Sequence, residues 1–324
     1  MTVRLLPWQP EYGTGMQFDA DPEDEPAVVP DLTVESPVWA PVTPRVAMPC
    51  VRIVDGVRRA EAHALDDDGG AAPAFGLFGS FAVGAVACEA DGARIMTGHV
   101  RVERRYLTTG SLDVMDRDLT AGATRLQFRA RSIPTASRTN DLVAALNRAM
   151  LDEEARLADT LSQDEDVLTL VDGPLRSLRT PGRRVVGYVK RIQQWYVERD
   201  AIELLPTLLP GERSPLFMIP GSGEDGGRYS WFVRLAAGGP QIHPLGGVLR
   251  LECTAEISTE RAVLLADQSA VLLPRLASSP VKDPRAPQNL TPVGALESYL
   301  THLLGDRKFI ARLLAASVAR EAVA

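Results

Sequence analysis

A short apolar run that ends in an aspartate is the feature that most constrains this chain. Residues 167–171 (VLTLV) have the length and composition of a buried strand, and Asp172-Gly173-Pro174 ends it. A second apolar run, residues 185–189 (VVGYV), indicates another buried strand. No acidic residue occurs from 173 to 197, although the chain carries a formal net charge of −7. A basic segment in an acidic protein favours an anionic ligand.

A second Val-Asp-Gly lies at residues 54–56, where the apolar run 50–54 ends. Each Asp-Gly pair has two interpretations. It can be a turn, because glycine accepts positive φ and aspartate bonds to nearby backbone. Alternatively, the two strands lie side by side, so that Asp55 and Asp172 meet and form a metal site for phosphoryl chemistry.

The composition excludes several classes of protein. The chain has 324 residues, of which 45% are hydrophobic, so it can bury a core. No apolar run is long enough to cross a bilayer, so we expect no membrane contact. The first residues lack the features of a signal peptide, so we expect a cytoplasmic protein. The three cysteines and four histidines are scattered, without zinc-site spacing. A protein that coats DNA through its overall charge would be basic, so contact with nucleic acid requires a local basic patch.

The pattern along the chain predicts an acidic, Pro-rich arm over residues 1–47 and one α/β domain over 48–324. In the domain, strands dominate up to about residue 134, with adjoining strands at 51–55 and 57–63. Helical periodicity predicts helices at 140–161, 191–204 and 259–276, and a terminal helical region at 296–318 interrupted near Gly305. Further strands are expected at 228–235 and 247–253.

The helix at 140–161 carries a candidate third acidic ligand. Its apolar stripe is interrupted by Glu153 and Glu154, and Glu154 follows Met150 by four residues, so it points near the buried face. A glutamate near a buried face, shortly before a strand that ends in an aspartate, is a better ligand candidate than a solvated one. We therefore predict Glu154 as the third ligand and Glu153 as the alternative.

This order of elements predicts an RNase H-like core, a mixed β-sheet flanked by helices, with C-terminal helical additions. In such a core the first and fourth strands are adjacent and parallel, which would bring Asp55 and Asp172 together with Glu154. Ligands that offer only oxygen suit Mn²⁺ or Mg²⁺. Lys190 and the arginines of the basic segment would offset the charge of a phosphodiester.

The chain also resembles a known family, the NurA nucleases. The resemblance lies in IVDGVRR (53–59), LVDGPL (170–175), VVGYVKR (185–191), RYSWFVRL (228–235) and the segment 272–306. It implies an RNase H-like homodimer with Mn²⁺-dependent 5′ to 3′ exonuclease activity on DNA and endonuclease activity on single strands. The implied partner is a HerA-type hexameric ATPase, in DNA end resection for double-strand break repair by homologous recombination.

Position by position, the resemblance implies Asp55, Glu154 and Asp172 as metal ligands and Lys190 as a further catalytic residue. The family also has a histidine near the C-terminus, for which His302 is the nearest candidate, although its sequence context differs. The expected DNA-binding residues are basic and follow the two aspartates or the second apolar run: Arg58, Arg176, Arg179, Arg183, Arg184, Lys190 and Arg191.

Two other functions are compatible with the same residues. The first is a non-catalytic RNase H-like adaptor that caps a ring ATPase, with the acidic arm and the C-terminal helices as its functional surfaces. The second is a different RNase H-like enzyme, such as an RNase H or a junction resolvase.

Overall fold

One mixed β-sheet extends through the chain and positions the other elements. The structure is a computed structural model that describes residues 2–5, 29–67, 73–110, 115–175, 183–190, 192, 194–221, 226–237, 243–279 and 287–321. In these ranges twelve strands form the sheet. They are β1 (Thr2–Leu5), β2 (Val51–Asp67), β3 (Ala74–Glu89), β4 (Gly92–Ile95), β5 (Arg101–Thr108), β6 (Arg117–Ala121), β7 (Thr124–Ser132), β8 (Leu168–Asp172), β9 (Val185–Val189), β10 (Phe217–Ile219), β11 (Arg228–Arg234) and β12 (Val248–Thr254).

Five helices of the described ranges lie against the sheet or close its ends. They are α1 (Thr139–Leu161), α2 (Arg199–Ile202), α3 (Thr259–Leu276), α4 (Thr291–Leu303) and α5 (Arg307–Glu321). A left-handed backbone at Gly305 (φ 84°) separates α4 from α5, at the interruption that the sequence predicts. None of the helices in the described part of the chain has the length and apolarity that crossing a membrane requires.

The centre of the sheet has the strand order of an RNase H-like core. Its order is β5-β3-β2-β8-β9, in which β2, β3 and β5 are antiparallel neighbours whereas β2, β8 and β9 run parallel. The helix α1 makes the connection before β8, as a parallel crossover requires. The α/β fold class is therefore confirmed, including the predicted parallel contact between the strands of Asp55 and Asp172.

The alternation of side chains along β2 divides the core between the two faces of the sheet. Val54 packs with Val83 and Leu146 of α1 on one face, whereas Ile53 packs with Leu296 of α4 on the other. The central strands are buried on both faces, which explains why they read as continuous apolar runs in the sequence. One face of the central strands is covered by α1 and the other by α4, so each helix can bring side chains to the site from its own face.

Several predicted elements agree with the structure, and two do not. The bounds of β9 and α3 are as predicted, and α1 begins one residue earlier. The predicted pair of strands at 51–55 and 57–63 is wrong, because β2 is one strand of 17 residues. The predicted helix at 191–204 is also wrong, since only Arg199–Ile202 is helical among the described residues there and the left-handed backbone of Tyr196 (φ 62°) interrupts it.

Residues 29–47, in the predicted N-terminal arm, lie against one end of the sheet. Val42 forms a β-bridge with Arg213, and Trp39 Nε1 donates to the carbonyl oxygen of Ala201 (3.0 Å). The guanidinium of Arg213 is 1% exposed and donates to Glu35 (2.7 and 2.8 Å) and Asp267 (2.7 Å). This buried network connects the segment to α3.

We predict that Arg213→Ala lowers the free energy of unfolding by about 3–5 kcal/mol, because it leaves two carboxylates without their buried cation. The measurement is urea unfolding followed by circular dichroism. Arg94→Ala is the control: Arg94 lies 3.9 Å from Glu89 with 75% of its side chain exposed, so its loss should change stability by less than about 1 kcal/mol. Equal effects of the two substitutions would contradict the prediction.

Candidate active site

Asp55 is a buried carboxylate in the interior of a strand. It lies in the middle of β2, opposite Gly84 of β3, and Gly56 continues the pairing opposite Val83. The prediction that Asp55 ends a strand is therefore wrong, since pairing with the long strand β3 keeps this Asp-Gly extended. Asp55 shares a face with Ile53, and its Oδ2 is buried with no hydrogen-bond partner among the described residues. An oxygen in that state is available to a ligand.

Asp172 lies where β8 ends, as predicted, and Gly173 makes a true turn there with φ 85°. Lys190 follows β9, and its Nζ donates to Asp172 Oδ2 at 2.7 Å. The turn packs directly against β9 at Gly187, where no side chain fits, because a Cβ on Gly187 would lie 2.7 Å from the carbonyl oxygen of Gly173. Alternation places Asp172 on the face of Leu170, which is also the face of Asp55.

The two aspartates are close enough to affect each other's protonation. The parallel pairing of β2 with β8 ends at Val54 opposite Val171, the residues that immediately precede the two aspartates. Burial raises the pKa of Asp55 well above its ordinary value, and the charge of Asp172 raises it further, whereas Lys190 opposes both. The structure thus brings together the two aspartates that the sequence singles out.

Glu154 reaches the same point from the opposite face of the sheet. It lies on α1 and is buried, and its Oε1 occupies the place where a Cβ on Gly56 would lie. Glycine at position 56 therefore provides the space that the carboxyl group occupies, and β8 no longer pairs with β2 there. Burial raises the pKa of Glu154 well above its ordinary value, with further contributions from Asp55 and Asp172. These shifts favour the neutral form of the Glu154 carboxyl group, and the charge of Lys190 opposes them.

Glu153, the alternative third ligand, is engaged elsewhere. Its carboxylate accepts from Arg101 and from Arg156, each at 2.7 Å. Of the two glutamates, Glu154 is the one that approaches the aspartates.

Two further residues of the site are absent from the sequence prediction, Glu297 and Tyr188. The helix α4 lies over the Asp55–Gly84 pair, because a Cβ on Gly84 would come within 3.1 Å of Leu300 and 3.3 Å of Leu296. Glu297, between these leucines in sequence, is close enough that its charge raises the pKa of Asp55. Glu297 follows Val293 by four residues and so borders the apolar stripe of α4. The same spacing relative to Met150 identified Glu154 in the sequence, so this signal could also have found Glu297.

Tyr188 lies beneath Lys190, whose Nζ is 5.3 Å from the centre of the ring. Its hydroxyl is buried and has no hydrogen-bond partner in the described structure. Burial raises the pKa of this phenol well above its ordinary value, and Asp172 and Asp55 raise it further. Tyr188 therefore stays neutral and retains a proton that it can donate.

Burial alone would lower the pKa of Lys190, but the nearby carboxylates of Asp172 and Asp55 outweigh it and raise the pKa instead. Lys190 is thus a permanent cation at neutral pH. His302, by contrast, is exposed near the end of α4. It follows Glu297 by five residues and so lies on another side of the helix.

The described arginines of the predicted DNA-binding set are bound to protein groups. Arg58 donates to Asn147 (2.8 Å), Arg183 donates to the carbonyl oxygen of Asp159 (2.7 Å), and Arg184 donates to that of Glu165 (2.7 Å). These contacts fasten loops and helices to the sheet, and their role in DNA binding stays a prediction. Arg176, Arg179 and Arg191 lie outside the described residues.

The residues fit a hard divalent cation in their chemistry, although they do not form a closed cage. No three His, Cys, Asp or Glu side chains of the described ranges are arranged so that they could hold a metal ion as they stand. However, the buried Oδ2 of Asp55 lacks a partner among those residues, and the neighbouring donors are carboxylate oxygens, which Mn²⁺ and Mg²⁺ accept. A divalent cation would offset the burial and the repulsion that together raise the pKa of Asp55 and Glu154.

The raised pKa of Asp55 predicts a pH-dependent gain in stability for Asp55→Asn. Above about pH 4 the unfolded chain releases this proton while the native state keeps it, so wild-type stability falls as pH rises towards the native pKa. In EDTA at pH 7.5 the variant should be more stable by about 1 kcal/mol or more, and the gain should shrink near pH 4. Urea unfolding at both pH values measures this, with the exposed Asp91→Asn as control. A gain of the same size at both pH values would show that ionisation of Asp55 is not its cause.

The chain is similar to known proteins both in its domain and in its fold. The NurA domain model matches residues 75–293, more than half of the chain, a range that includes Glu154, Asp172 and Lys190. The fold is similar to the crystal structure of the NurA nuclease from Sulfolobus solfataricus, with 10% sequence identity, a TM-score of 0.48, and coverage of 87% of this chain and 88% of that one. No curated protein matches the chain. On the domain match, this chain belongs to the NurA family.

Proposed function

We propose that this protein is a metal-dependent deoxyribonuclease that hydrolyses phosphodiester bonds at the site around Asp55. Membership of the NurA family supports a nuclease. The observation that carries the proposal is that Glu154 of α1 and Asp172 of β8 lie close to Asp55 of β2, whose buried Oδ2 has no hydrogen-bond partner among the described residues. Buried carboxylates gathered in this way destabilise the native state, and cation binding gives a reason for their presence.

In this proposal Asp55, Glu154 and Asp172 would hold Mn²⁺, or alternatively Mg²⁺. A bound cation would supply activation of water and neutralisation of charge on the phosphodiester. Lys190 acts by electrostatics and not as a base, because its pKa is raised and it stays protonated. Its ammonium holds Asp172 in position and faces the same space, where it can stabilise the negative charge that develops on the phosphoryl oxygens.

Tyr188 and Glu297 complete the proposed centre. The neutral phenol of Tyr188 can donate a hydrogen bond to an oxygen of the substrate or of a ligating carboxylate. Glu297 adds a carboxylate from α4 to those of Asp55, Glu154 and Asp172, and its charge reaches both Asp55 and Lys190. This charge attracts a cation and offsets part of the attraction of Lys190 for the substrate.

The remaining parts of the proposal depend on resemblance to the family. They are 5′ to 3′ exonuclease action on DNA, endonuclease action on single strands, a homodimer, and a HerA-type hexameric ATPase as partner in end resection for homologous recombination. Digestion of end-labelled DNA tests polarity and the effect of the partner together with the chemistry.

Asp55→Ala should reduce metal-dependent cleavage by more than about 100-fold. Removing a residue that only hydrogen-bonds to a metal ligand already lowers metal affinity or activity by about 10- to 100-fold, and Asp55 is proposed as a ligand itself. The measurement is digestion of 5′- and 3′-labelled linear duplex and single-stranded DNA in Mn²⁺, Mg²⁺ or EDTA, with and without a HerA-type ATPase. RNA–DNA hybrids and four-way junctions serve as competing substrates, and the exposed Asp91→Ala should cleave like the wild type. Cleavage retained by Asp55→Ala would refute the site, and no cleavage by wild type in any lane would favour an adaptor.

Glu297→Gln should weaken Mn²⁺ binding by about tenfold, since the amide keeps the shape of the side chain and removes its charge. Calorimetric titration of Mn²⁺ into the folded protein measures this without turnover. Glu260→Gln, an exposed substitution on α3, is the matched control and should bind Mn²⁺ like the wild type. If the two variants bound Mn²⁺ with equal affinity, Glu297 would have no part in the centre.

A further inference from the structure

A cavity of about 300 Å³ opens on the sheet near the proposed centre. It is lined by residues of β5 and β7: Arg101, Val102, Glu103, Arg104, Gln127 and Arg129. Its volume suits a small polar group, such as one phosphate with part of its sugar, and not a large ligand. Three of the six lining residues are arginines, in a protein whose formal net charge is −7.

The positive charge around this cavity is only partly neutralised by the protein. Glu103, the single acidic residue of the lining, forms an ion pair with Arg105. Arg105 is the register partner of Arg129 on the adjacent parallel strand, so two guanidinium groups emerge from neighbouring positions. Like charges directly opposite each other destabilise a sheet, and Glu103 offsets this repulsion by pairing with Arg105. In the part of the chain that the structure describes, Arg129 makes no ion pair.

The arginines of the lining are not equivalent. Arg104 directs its guanidinium to the carbonyl oxygen of Leu304 (3.1 Å), at the end of α4. Arg101 and Arg129 are exposed, and the amide of Gln127 adds a neutral donor between them. Two guanidinium groups and an amide are the donor set with which proteins bind a phosphate without reading a base.

The cavity is connected to the centre through one ion pair. Arg101 donates to Glu153 Oε1 at 2.7 Å, and Glu153 directly precedes Glu154 on α1. Arg101 also faces the helix side of the sheet, opposite Val83, which is itself opposite Gly56. The Arg101 end of the cavity therefore lies beside the position where Glu154 enters the site, whereas Arg129 lies beside Arg105, four residues further along β5.

We propose that this cavity binds a backbone phosphate of the DNA strand, away from the scissile bond, with Arg129 as its main donor. The proposal rests on the proposed function, because it assigns a subsite to that substrate. A phosphate held there would fix the strand relative to Glu154 without selecting a sequence. The contact is electrostatic, so it contributes to the salt dependence of DNA binding.

The test compares DNA binding by Arg129→Gln and by a matched control, both in the full chain with Asp55→Ala so that nothing is cleaved. Arg125→Gln is the control: it lies on the same strand, with 70% of its side chain exposed, and pairs with Asp118 (3.2 Å) outside the cavity. Fluorescence anisotropy with a labelled single-stranded oligonucleotide gives the Kd at several salt concentrations. Thermal unfolding of each variant verifies that it is folded.

Loss of one phosphate contact should reduce the slope of log K against log salt by about 0.7 and weaken binding about fivefold at 0.1 M salt. Arg125→Gln should keep both the slope and the affinity of the parent. Equal slopes for Arg129→Gln and Arg125→Gln would overturn the cavity proposal alone. Absence of DNA binding by the parent would overturn the proposed function and this subsite together.

Discussion

The burial of the Asp55 carboxyl group in the interior of β2 is the constraint on which the site depends. A carboxylate loses hydration when it is buried, so it must find a proton, a cation or hydrogen-bond donors. Its Oδ2 has no hydrogen-bond partner in the described structure, and the neighbouring acids of Asp172 and Glu297 add repulsion. The fold keeps this carboxylate in place because β3 pairs with β2 on both sides of it.

Two glycines next to Asp55, Gly56 after it on β2 and Gly84 opposite it on β3, allow groups from both faces of the sheet to reach one centre. Gly56 leaves space for the carboxyl group of Glu154 on the α1 face, whereas Gly84 lets α4 approach on the other face and bring Glu297 near. The early end of β8 at Asp172 removes the strand that would otherwise separate Glu154 from Asp55. Acids on opposite faces can thus meet at the unpaired edge of a central strand.

The sequence predicted those elements whose formation depends on neighbouring residues in the chain. The strands β8 and β9 and the helices α1 and α3 were predictable because their apolar periodicity is a property of consecutive residues. The same holds for Glu154, which interrupts such a stripe. The local preference of Asp-Gly for a turn predicted a strand end at Asp55, but pairing with β3 overrides it.

What the sequence did not predict depends on contacts between distant segments. Glu297 enters the site only because α4 packs on β3, more than 200 residues away in the chain. The pairing of Arg105 with Arg129 arises from the parallel contact of β5 with β7, which no local pattern indicates. Tyr188 reads in the sequence as an ordinary core residue of an apolar strand, and only its place beneath Lys190 relates it to the acids.

Protons and cations compete for the same carboxylates in this arrangement. Around Lys190 lie the acids of Asp55, Glu154, Asp172 and Glu297, so among the described residues one ammonium is close to four carboxyl groups. Without another cation, burial and mutual repulsion favour the protonated forms of Asp55 and Glu154. A bound divalent cation would displace those protons, because only ionised carboxylates are good ligands. The desolvation that destabilises the free protein is therefore the same property that would make the site respond to cations, because the charge of Lys190 does not offset it.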